Sequence, residues 1–572
     1  MDVAAPARSR TIPRLWRDGV AQGRDWPAYL VERGGDWRPV SWEEAGRRVD
    51  ELANGLLALG VRKGDAFAIL GGTRFEWCLF DFALACIGAV GVGVYMNSSA
   101  RDARYVVEHS ESVGALVEDE QQGAKLAGVA LRHVLSFADL DGLAERGRAY
   151  AAENPGALDE AVSAIDEDDL FTLIYTSGTT GPPKGCMITH RNYYVLVTVV
   201  DRLPEFALAR DRILLFLPLA HNFGRLMHLG GPYIGYTLAL LDDPLRAAAA
   251  LPQVRPALFP SVPRFYEKVH AAVLQRLEGA QRTKRRLGEW ALRVGYEVSR
   301  LRQAGKPVSP VLALRHRLAD RLLFSKVKAQ LGGQLRIGIS GGAPLAKEIC
   351  EFFHALDILV LEGYGLTECT AAVTVNRPDA FRFGTVGPAL PGVELKLAED
   401  GELLIRGETV FAGYFKDPQA TREVLDEDGW LRSGDVAAID ADGFVTITDR
   451  KKDILITAGG KNVAPQNLEN LLKLSPVVSQ VLVVGDRRPF VAALVTVDPV
   501  CGLEPGSEEA RVAVQEAVDA ANAEASRYEQ IKRFRILARD FSVEDGEVTP
   551  TLKLKRRVVE QHFAAEIEQL YE

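Results

Sequence analysis

Residues Tyr175 to Gly185 read YTSGTTGPPKG, directly after the apolar run LFTLI. The stretch holds four aliphatic hydroxyl side chains (Thr176, Ser177, Thr179, Thr180), the glycines Gly178, Gly181 and Gly185, and one cation, Lys184. Glycines let successive backbone amides converge on an oxyanion, hydroxyls add donors, and an ammonium adds a point charge. The pattern departs from the common nucleotide loop G-x-x-x-x-G-K-[ST]. Counted from Gly178, the second glycine falls on Pro183, and Lys184 is followed by Gly185 rather than by Ser or Thr. A phosphate cradle is therefore expected at the end of a strand, and kinase-like or GTPase-like chemistry is disfavoured.

Outward from this loop, short apolar runs that end in Gly, Pro or a small polar residue alternate with helical stretches. DAFAILGG, ALVEDE, HVLSF, RILLFLPLA, RPALFPSVP, LRIGISGGAPL and DILVLEGYG read as strands, and residues 42–60 read as a helix with a glycine stop. Such alternation predicts an α/β fold with mainly parallel, helix-covered sheets, whose ligands sit beyond the carboxyl ends of the strands. Residues 266–330 form a long helical insert rich in arginine (Arg282, Arg285, Arg286, Arg293, Arg315, Arg321 among them) and poor in acidic groups. That insert is read as a solvated helical hairpin, with a face for anionic lipid headgroups as the sharper alternative. After residue 383, alternating strands joined by Asp-Gly turns predict hairpins, followed by a smaller α+β piece. A boundary is expected at Asp449–Asp453, giving domains 1–449 and 450–572.

The 572 residues are 47% hydrophobic and carry a net charge of -9, too long for one core and too acidic to favour nucleic acid as a partner. Six cysteines are scattered without a C-x-x-C pair, which points to a reducing, cytoplasmic setting. The first twenty residues lack a secretory apolar core. The longest largely apolar uncharged runs, 82–96 and 226–241, are shorter than the roughly 18 residues a membrane span needs, so buried helix or strand is expected there.

Taken together with six further stretches in the same order, the opening loop resembles the signature of the adenylate-forming superfamily. These stretches are LPLAHNF, GISGGAPL, EGYGLTEC, DGWLRSGD, TDRKKDILITAGGKNVAPQNLE and TPTLKLKRR. The long insert and the hinge motif are most similar to the long-chain fatty acyl-CoA synthetase branch. The resemblance implies a large N-terminal domain with a distorted barrel-like part and a small mobile C-terminal domain. It also implies two half-reactions. A fatty acid carboxylate attacks ATP to give acyl-AMP and pyrophosphate, then coenzyme A takes the acyl group and AMP leaves. The alternatives are a ligase that loads a carrier protein, a synthetase for aromatic or branched acids, or a binding protein without catalysis.

By the same resemblance, Thr176, Ser177, Gly178, Thr179, Thr180, Gly181 and Lys184 hold the outer phosphates, and Glu368, helped by Thr179, holds Mg2+. Thr367 lies at the α-phosphate, and Gly341, Gly342, Ala343, Gly363, Tyr364 and Gly365 form the adenine slot. Asp435, placed just after a strand, takes the ribose hydroxyls, and Arg450 reaches ribose or phosphate. His221 is a carboxylate-site or gate residue, Lys452 is the hinge, and Gly459 and Gly460 line the coenzyme A channel. The mobile catalytic cation is Lys553, with Lys555 as the alternative register. The gate motif continues Asn222-Phe-Gly-Arg225 where a Glu is usual before the Arg, which leaves acyl-chain selectivity open. Membrane contact and oligomeric state also stay open.

Overall fold

The apolar runs of the first 375 residues become the strands of two mainly parallel sheets. The computed structural model describes residues 9–176, 182–203, 206–542, 544–549 and 554–572. The first sheet runs His133–Ser136, Gly114–Val117, Ala66–Leu70, Val90–Val94, Leu170–Thr176, Lys184–Thr189. Its first five strands are parallel, and the last returns antiparallel. All five residues of Ala66–Leu70 and of Val90–Val94 are buried, which is why these strands read as continuous apolar runs rather than alternations. The second sheet has six parallel strands: Leu359–Tyr364, Ile337–Ser340, Leu258–Ser261, Arg212–Leu215, Thr237–Leu240 and Tyr29–Arg33. A short antiparallel strand closes each edge.

The two uncharged runs of the sequence resolve as expected. Residues 82–96 are the end of the helix Phe75–Cys86 plus the strand Val90–Val94. Residues 226–241 are most of the helix Asn222–Ile234 plus the strand Thr237–Leu240. Among the described residues no helix is long and apolar enough to cross a membrane.

One buried charge cluster ties these layers together. Arg225, on the helix Asn222–Ile234, pairs through Nη2 and Nε with Asp81 of the helix Phe75–Cys86. Its Nη1 donates to Thr172 of the strand Leu170–Thr176, and all three side chains are buried. Deleting one member would strand a charge in the core, which typically costs about 3–5 kcal/mol. The arginine of the gate motif is thus a strut of the core.

The predicted insert consists of the helices Pro263–Glu278, Arg282–Gln303 and Pro310–Ala319, a π-helical turn, and Ser325–Gln330. Beyond it, Val393–Leu397, Glu402–Gly407, Leu431–Ile439 and Val445–Arg450 form an antiparallel four-stranded sheet, the barrel-like part. Its Asp-Gly turns carry Gly401 and Gly443 at φ of 81° and 84°, the left-handed backbone such turns require.

After Arg450 comes a smaller unit with its own apolar cluster, Leu455 to Ile531, separate from the large cluster that ends at Val445. It holds the hairpin Leu455–Ile456/Asn462–Val463, the helix Pro465–Leu472 and the sheet Val478–Val484, Val491–Val497, Ile531–Ile536. The helices Glu508–Glu524, Arg556–His562 and Ala564–Tyr571 pack around it.

Candidate functional site

Most of the predicted site residues sit at the carboxyl ends of strands. Leu170–Thr176 delivers the glycine-rich loop. Thr176 ends that strand, whereas Ser177, Gly178, Thr179, Thr180 and Gly181, all assigned to the outer phosphates, lie outside the described residues. Lys184 opens the returning strand, in register with Thr176. The two strands are thus antiparallel neighbours, and the stretch GCMIT pairs on its other side with residues 412–415. That second pairing brings Tyr414 beside Lys184. Its ring lies 5.0 Å from Lys184 Nζ, and its hydroxyl donates to Glu368 Oε1 at 2.7 Å. Lys184 Nζ is also 3.9 Å from Asp417. Burial first, and the Glu368 carboxylate second, push the Tyr414 hydroxyl pKa up, so it stays a donor. One Glu368 oxygen is thus fixed by Tyr414, and among the described residues no Lys or Arg forms an ion pair with Glu368.

Glu368 and Thr367 lie in the short 3-10 turn Thr367–Cys369. The turn is braced from three sides. Phe411 N–H donates to the Glu368 carbonyl, Asn222 Nδ2 donates to the Thr370 carbonyl, and Thr370 Oγ1 donates to the Thr409 carbonyl. Gly365 makes this turn possible, because a Cβ there would lie 1.5 Å from the Ala371 carbonyl oxygen. The strand Leu359–Tyr364 sets the same loop beside Gly341, with Ser340 in register with Glu362. Glu362 is buried and accepts from Leu345 N–H at 3.0 Å. Burial lifts its carboxyl pKa to about 7.

Asp435 stands inside the strand Leu431–Ile439, next to its bulge, rather than after a strand as the motif spacing implied. The bulge lets a buried carboxylate face Tyr364, whose hydroxyl donates to Oδ2 at 2.5 Å. Arg450, opposite on the neighbouring strand, holds Nε 3.4 Å from Oδ1. Tyr364 is therefore anchored by its hydroxyl as well as placed to cover a ring. Its pKa is pushed up, by burial first and by Asp435 second.

Gly341, Gly342, Ala343 and His221 line one cavity of about 130 Å3, with Leu554 of the smaller unit on the far side. A Cβ on Gly341 would come within 3.2 Å of the Phe223 ring, which would have to shift by a few tenths of an ångström to admit a side chain there. His221 caps the helix Asn222–Ile234, its Nδ1 accepting from Phe223 N–H at 3.2 Å. With that lone pair committed, the neutral ring carries its proton on Nε2. Gly459 and Gly460 are exposed and do not line this cavity. Lys452 is exposed as well and lines a second cleft with Arg487, Arg556 and Glu560. Lys553 lies outside the described residues; its alternative Lys555 caps the helix Arg556–His562.

Sequence reasoning missed Tyr414, Glu362 and Arg264. Glu362 left a signal, a lone carboxylate inside an apolar strand run. Tyr414 left none, since its partner is 46 positions away.

Lys184 with Tyr414 and Glu368, the Tyr364–Asp435–Arg450 group, and the glycine-lined cavity that reaches Leu554 of the smaller unit are the described parts of the site expected for an adenylate-forming enzyme. The comparisons agree. The AMP-binding enzyme family matches residues 16–415, and the AMP-binding enzyme C-terminal domain matches residues 452–572. The chain belongs to the AMP-binding enzyme family. It is 39% identical over 578 residues to the long-chain-fatty-acid–CoA ligase FadD15 of Mycobacterium tuberculosis, covering 96% of this chain and 95% of that protein. It is 30% identical over 622 residues to the long-chain-fatty-acid–CoA ligase ACSBG2 of Homo sapiens, covering 98% and 92%. Among solved structures, the adenylation domain of a carboxylate reductase from Mycobacterium chelonae shares the fold. The TM-score is 0.77 at 24% identity, over 100% of this chain and 92% of that one.

Proposed function

We propose that this protein converts a long-chain fatty acid to its acyl-CoA through an acyl-adenylate, releasing pyrophosphate and AMP. The observation that carries the reading is the convergence of Lys184, Tyr414 and Glu368 beside the Tyr364–Asp435–Arg450 group. The ligases FadD15 and ACSBG2, similar over nearly the whole chain, support the choice of substrate class.

In the first half-reaction charge accumulates around the α-phosphate, so donors and cations fixed in advance stabilise it without reorganising. Lys184 and the loop from Thr176 to Gly181 are assigned to the outer phosphates, and Thr367 to the α-phosphate. Asp435 accepts from the ribose hydroxyls, with Arg450 alongside. The backbone of 341–343 and the Tyr364 ring enclose adenine. His221 offers Nε2–H to the acid's carboxylate. The donor set fits Mg2+, a hard cation that prefers carboxylate oxygen and retains waters. Glu368, aimed by Tyr414, would hold it with help from Thr179, and the ion would neutralise phosphate charge. Lys553, in the smaller unit, is assigned to bridge the carboxylate and the α-phosphate.

Domains 1–449 and 450–572 are proposed to turn about Lys452. The present state sets Leu554, beside Lys553, at the cleft, and leaves Gly459 and Gly460 exposed. The other state would bring those glycines to the coenzyme A channel. Lipid contact is proposed through the insert, where residues 282–330 carry thirteen Lys and Arg against three acidic residues.

The test is fatty-acid-dependent exchange of labelled pyrophosphate into ATP, followed by acceptor assays with coenzyme A and with an acyl carrier protein. Exchange with long-chain acids and transfer to coenzyme A are expected. Exchange only with aromatic acids, transfer only to the carrier, or no exchange with any acid would each overturn the reading. Lys553→Ala and Lys555→Ala, compared in the exchange assay, decide the register: the mobile lysine is the one whose loss abolishes exchange while transfer from preformed acyl-AMP survives.

A further inference from the structure

Arg264 is the second residue of the helix Pro263–Glu278, at the end where the helix dipole disfavours a cation. Its guanidinium nevertheless stays on the molecule. Nη2 donates to Ser479 Oγ at 2.8 Å and lies 3.2 Å from Asp498 Oδ2, while Nη1 lies 3.6 Å from Glu267. Ser479 and Asp498 belong to the smaller unit, at the start of one strand and just past the end of the next. Both acceptors are set by that unit itself. Ser479 Oγ donates to Asp540 at 2.6 Å, and Asp498 Oδ1 accepts from Val500 N–H at 3.0 Å. Between described residues, the side-chain hydrogen bonds that cross from before residue 449 to beyond residue 453 both start at Arg264. The contact lies on the wall of the cavity that Gly341, Gly342 and Leu554 share.

We propose that Arg264 is a positioning residue. Its fork to Ser479 and Asp498 clamps the smaller unit in the orientation that serves adenylate formation, and it opens when the unit turns for acyl transfer. The clamp rests on the two-state reading given above. The Arg264 and Asp498 side chains are 23% and 14% exposed, so the pair is partly dehydrated and charge-assisted, and stronger than an exposed surface pair. It is also small enough to break once per turnover. Loss of the clamp does not remove a group from the reacting atoms. It lowers the population of the adenylation state, so the two half-reactions respond differently.

The experiment compares Arg264→Gln, Asp498→Asn and the double variant with the unaltered enzyme in two single-turnover assays. One follows pyrophosphate release from palmitate and Mg-ATP, and the other follows thioester formation from purified palmitoyl-AMP and coenzyme A. Each single variant is expected to slow pyrophosphate release roughly tenfold, the scale of a partly buried charge pair. Thioester formation should stay unchanged or speed up. The double variant should be no slower than the worse single one, because both changes remove one contact. Equal slowing of both half-reactions, no slowing of either, or additive losses would overturn the clamp. Asp498→Asn is nearly isosteric and keeps the test open if Arg264→Gln folds poorly. Lys452→Pro, run in parallel, separates the two levels. If it too leaves the half-reactions in step, the two-state reading falls. If it splits them while the Arg264 and Asp498 variants do not, only the clamp falls.

Discussion

A carboxylate that shares a divalent ion with a nucleotide gains from being aimed before either arrives, and at Glu368, proposed above to hold that ion, the group that fixes the carboxylate is Tyr414. The tyrosine hydroxyl holds Oε1 at 2.7 Å, and the side chain is buried. Tyr414→Phe keeps the ring under Lys184 and removes one hydrogen bond to a charged group, a loss of about 1.5–3 kcal/mol. Adenylate formation is expected to slow at least tenfold, with a higher Mg2+ concentration needed for half-maximal rate and no change in acyl transfer from preformed acyl-AMP. A magnesium titration of pyrophosphate release reads this directly; an unchanged titration would remove Tyr414 from the site. Glu362, one strand position before Gly363, makes a pH-dependent prediction. Burial raises its carboxyl pKa from 4.5 to about 7. The folded state therefore keeps a proton that the unfolded chain gives up. The stabilisation is complete below about pH 4.5 and is lost as pH rises through 7. Glu362→Gln retains an acceptor for Leu345 N–H but cannot ionise. Urea unfolding should find the variant equal to the parent near pH 4 and more stable above pH 7, by up to about 3 kcal/mol.

At the scale of elements, the helix Pro310–Ala319 is amphipathic in an unusual sense. Leu312, His316 and Ala319 face inward, yet Val311, Leu314 and Leu318 are 63%, 67% and 50% exposed, with Arg315, Arg317 and Arg321 around them. An outward aliphatic stripe edged by cations suits the headgroup boundary of an anionic bilayer. Leu314→Glu with Leu318→Glu is expected to cut cosedimentation with phosphatidylglycerol vesicles at least tenfold and to leave pyrophosphate release in vesicle-free buffer unchanged. Equal sedimentation of both forms would retire the lipid face. The composition of this insert was legible in the sequence, but the outward set of its leucines was not, because period alone gives a stripe and not the side it faces. The parallel strands were legible for a physical reason: strands covered on both faces are solidly apolar. Val90–Val94 was not, since its apolar run merges with the preceding helix. The returning strand Lys184–Thr189 was hidden behind the loop that draws the eye. Asp435 was expected just after a strand and lies inside one, because a bulge inside a strand has no sequence mark of its own. Tyr414 and Arg264 act through partners 46 and 234 positions away, and no local pattern encodes such pairings.

For the whole molecule, the decisive question is whether one chain needs two arrangements, and the backbone around Lys452 shows how that can be asked. Lys451 is fixed to the larger part: its N–H donates to the Gly434 carbonyl, and its ammonium pairs with Asp400 and Glu402. Asp449 accepts from Gln466 N–H at the start of the first helix of the smaller unit, so the two parts also meet just before Lys452. Between these anchors the turn is closed by Asp453 N–H and Ile454 N–H, both donating to the Arg450 carbonyl. A proline at 452 removes neither of those donors. It fixes φ near -65°, which a helical turn accepts, though it disfavours the helical region for the residue before it. The three bonds of Lys451 resist that displacement. The present arrangement should therefore survive in Lys452→Pro, while the large dihedral change needed to reach another arrangement is blocked. Pyrophosphate release from palmitate and ATP is expected to stay within about threefold of the parent, and acyl transfer from palmitoyl-AMP to coenzyme A to fall by about a hundredfold or more. If transfer proceeds at the parental rate, one fixed arrangement performs both half-reactions. The exposed Gly459–Gly460 turn would then have no channel to line.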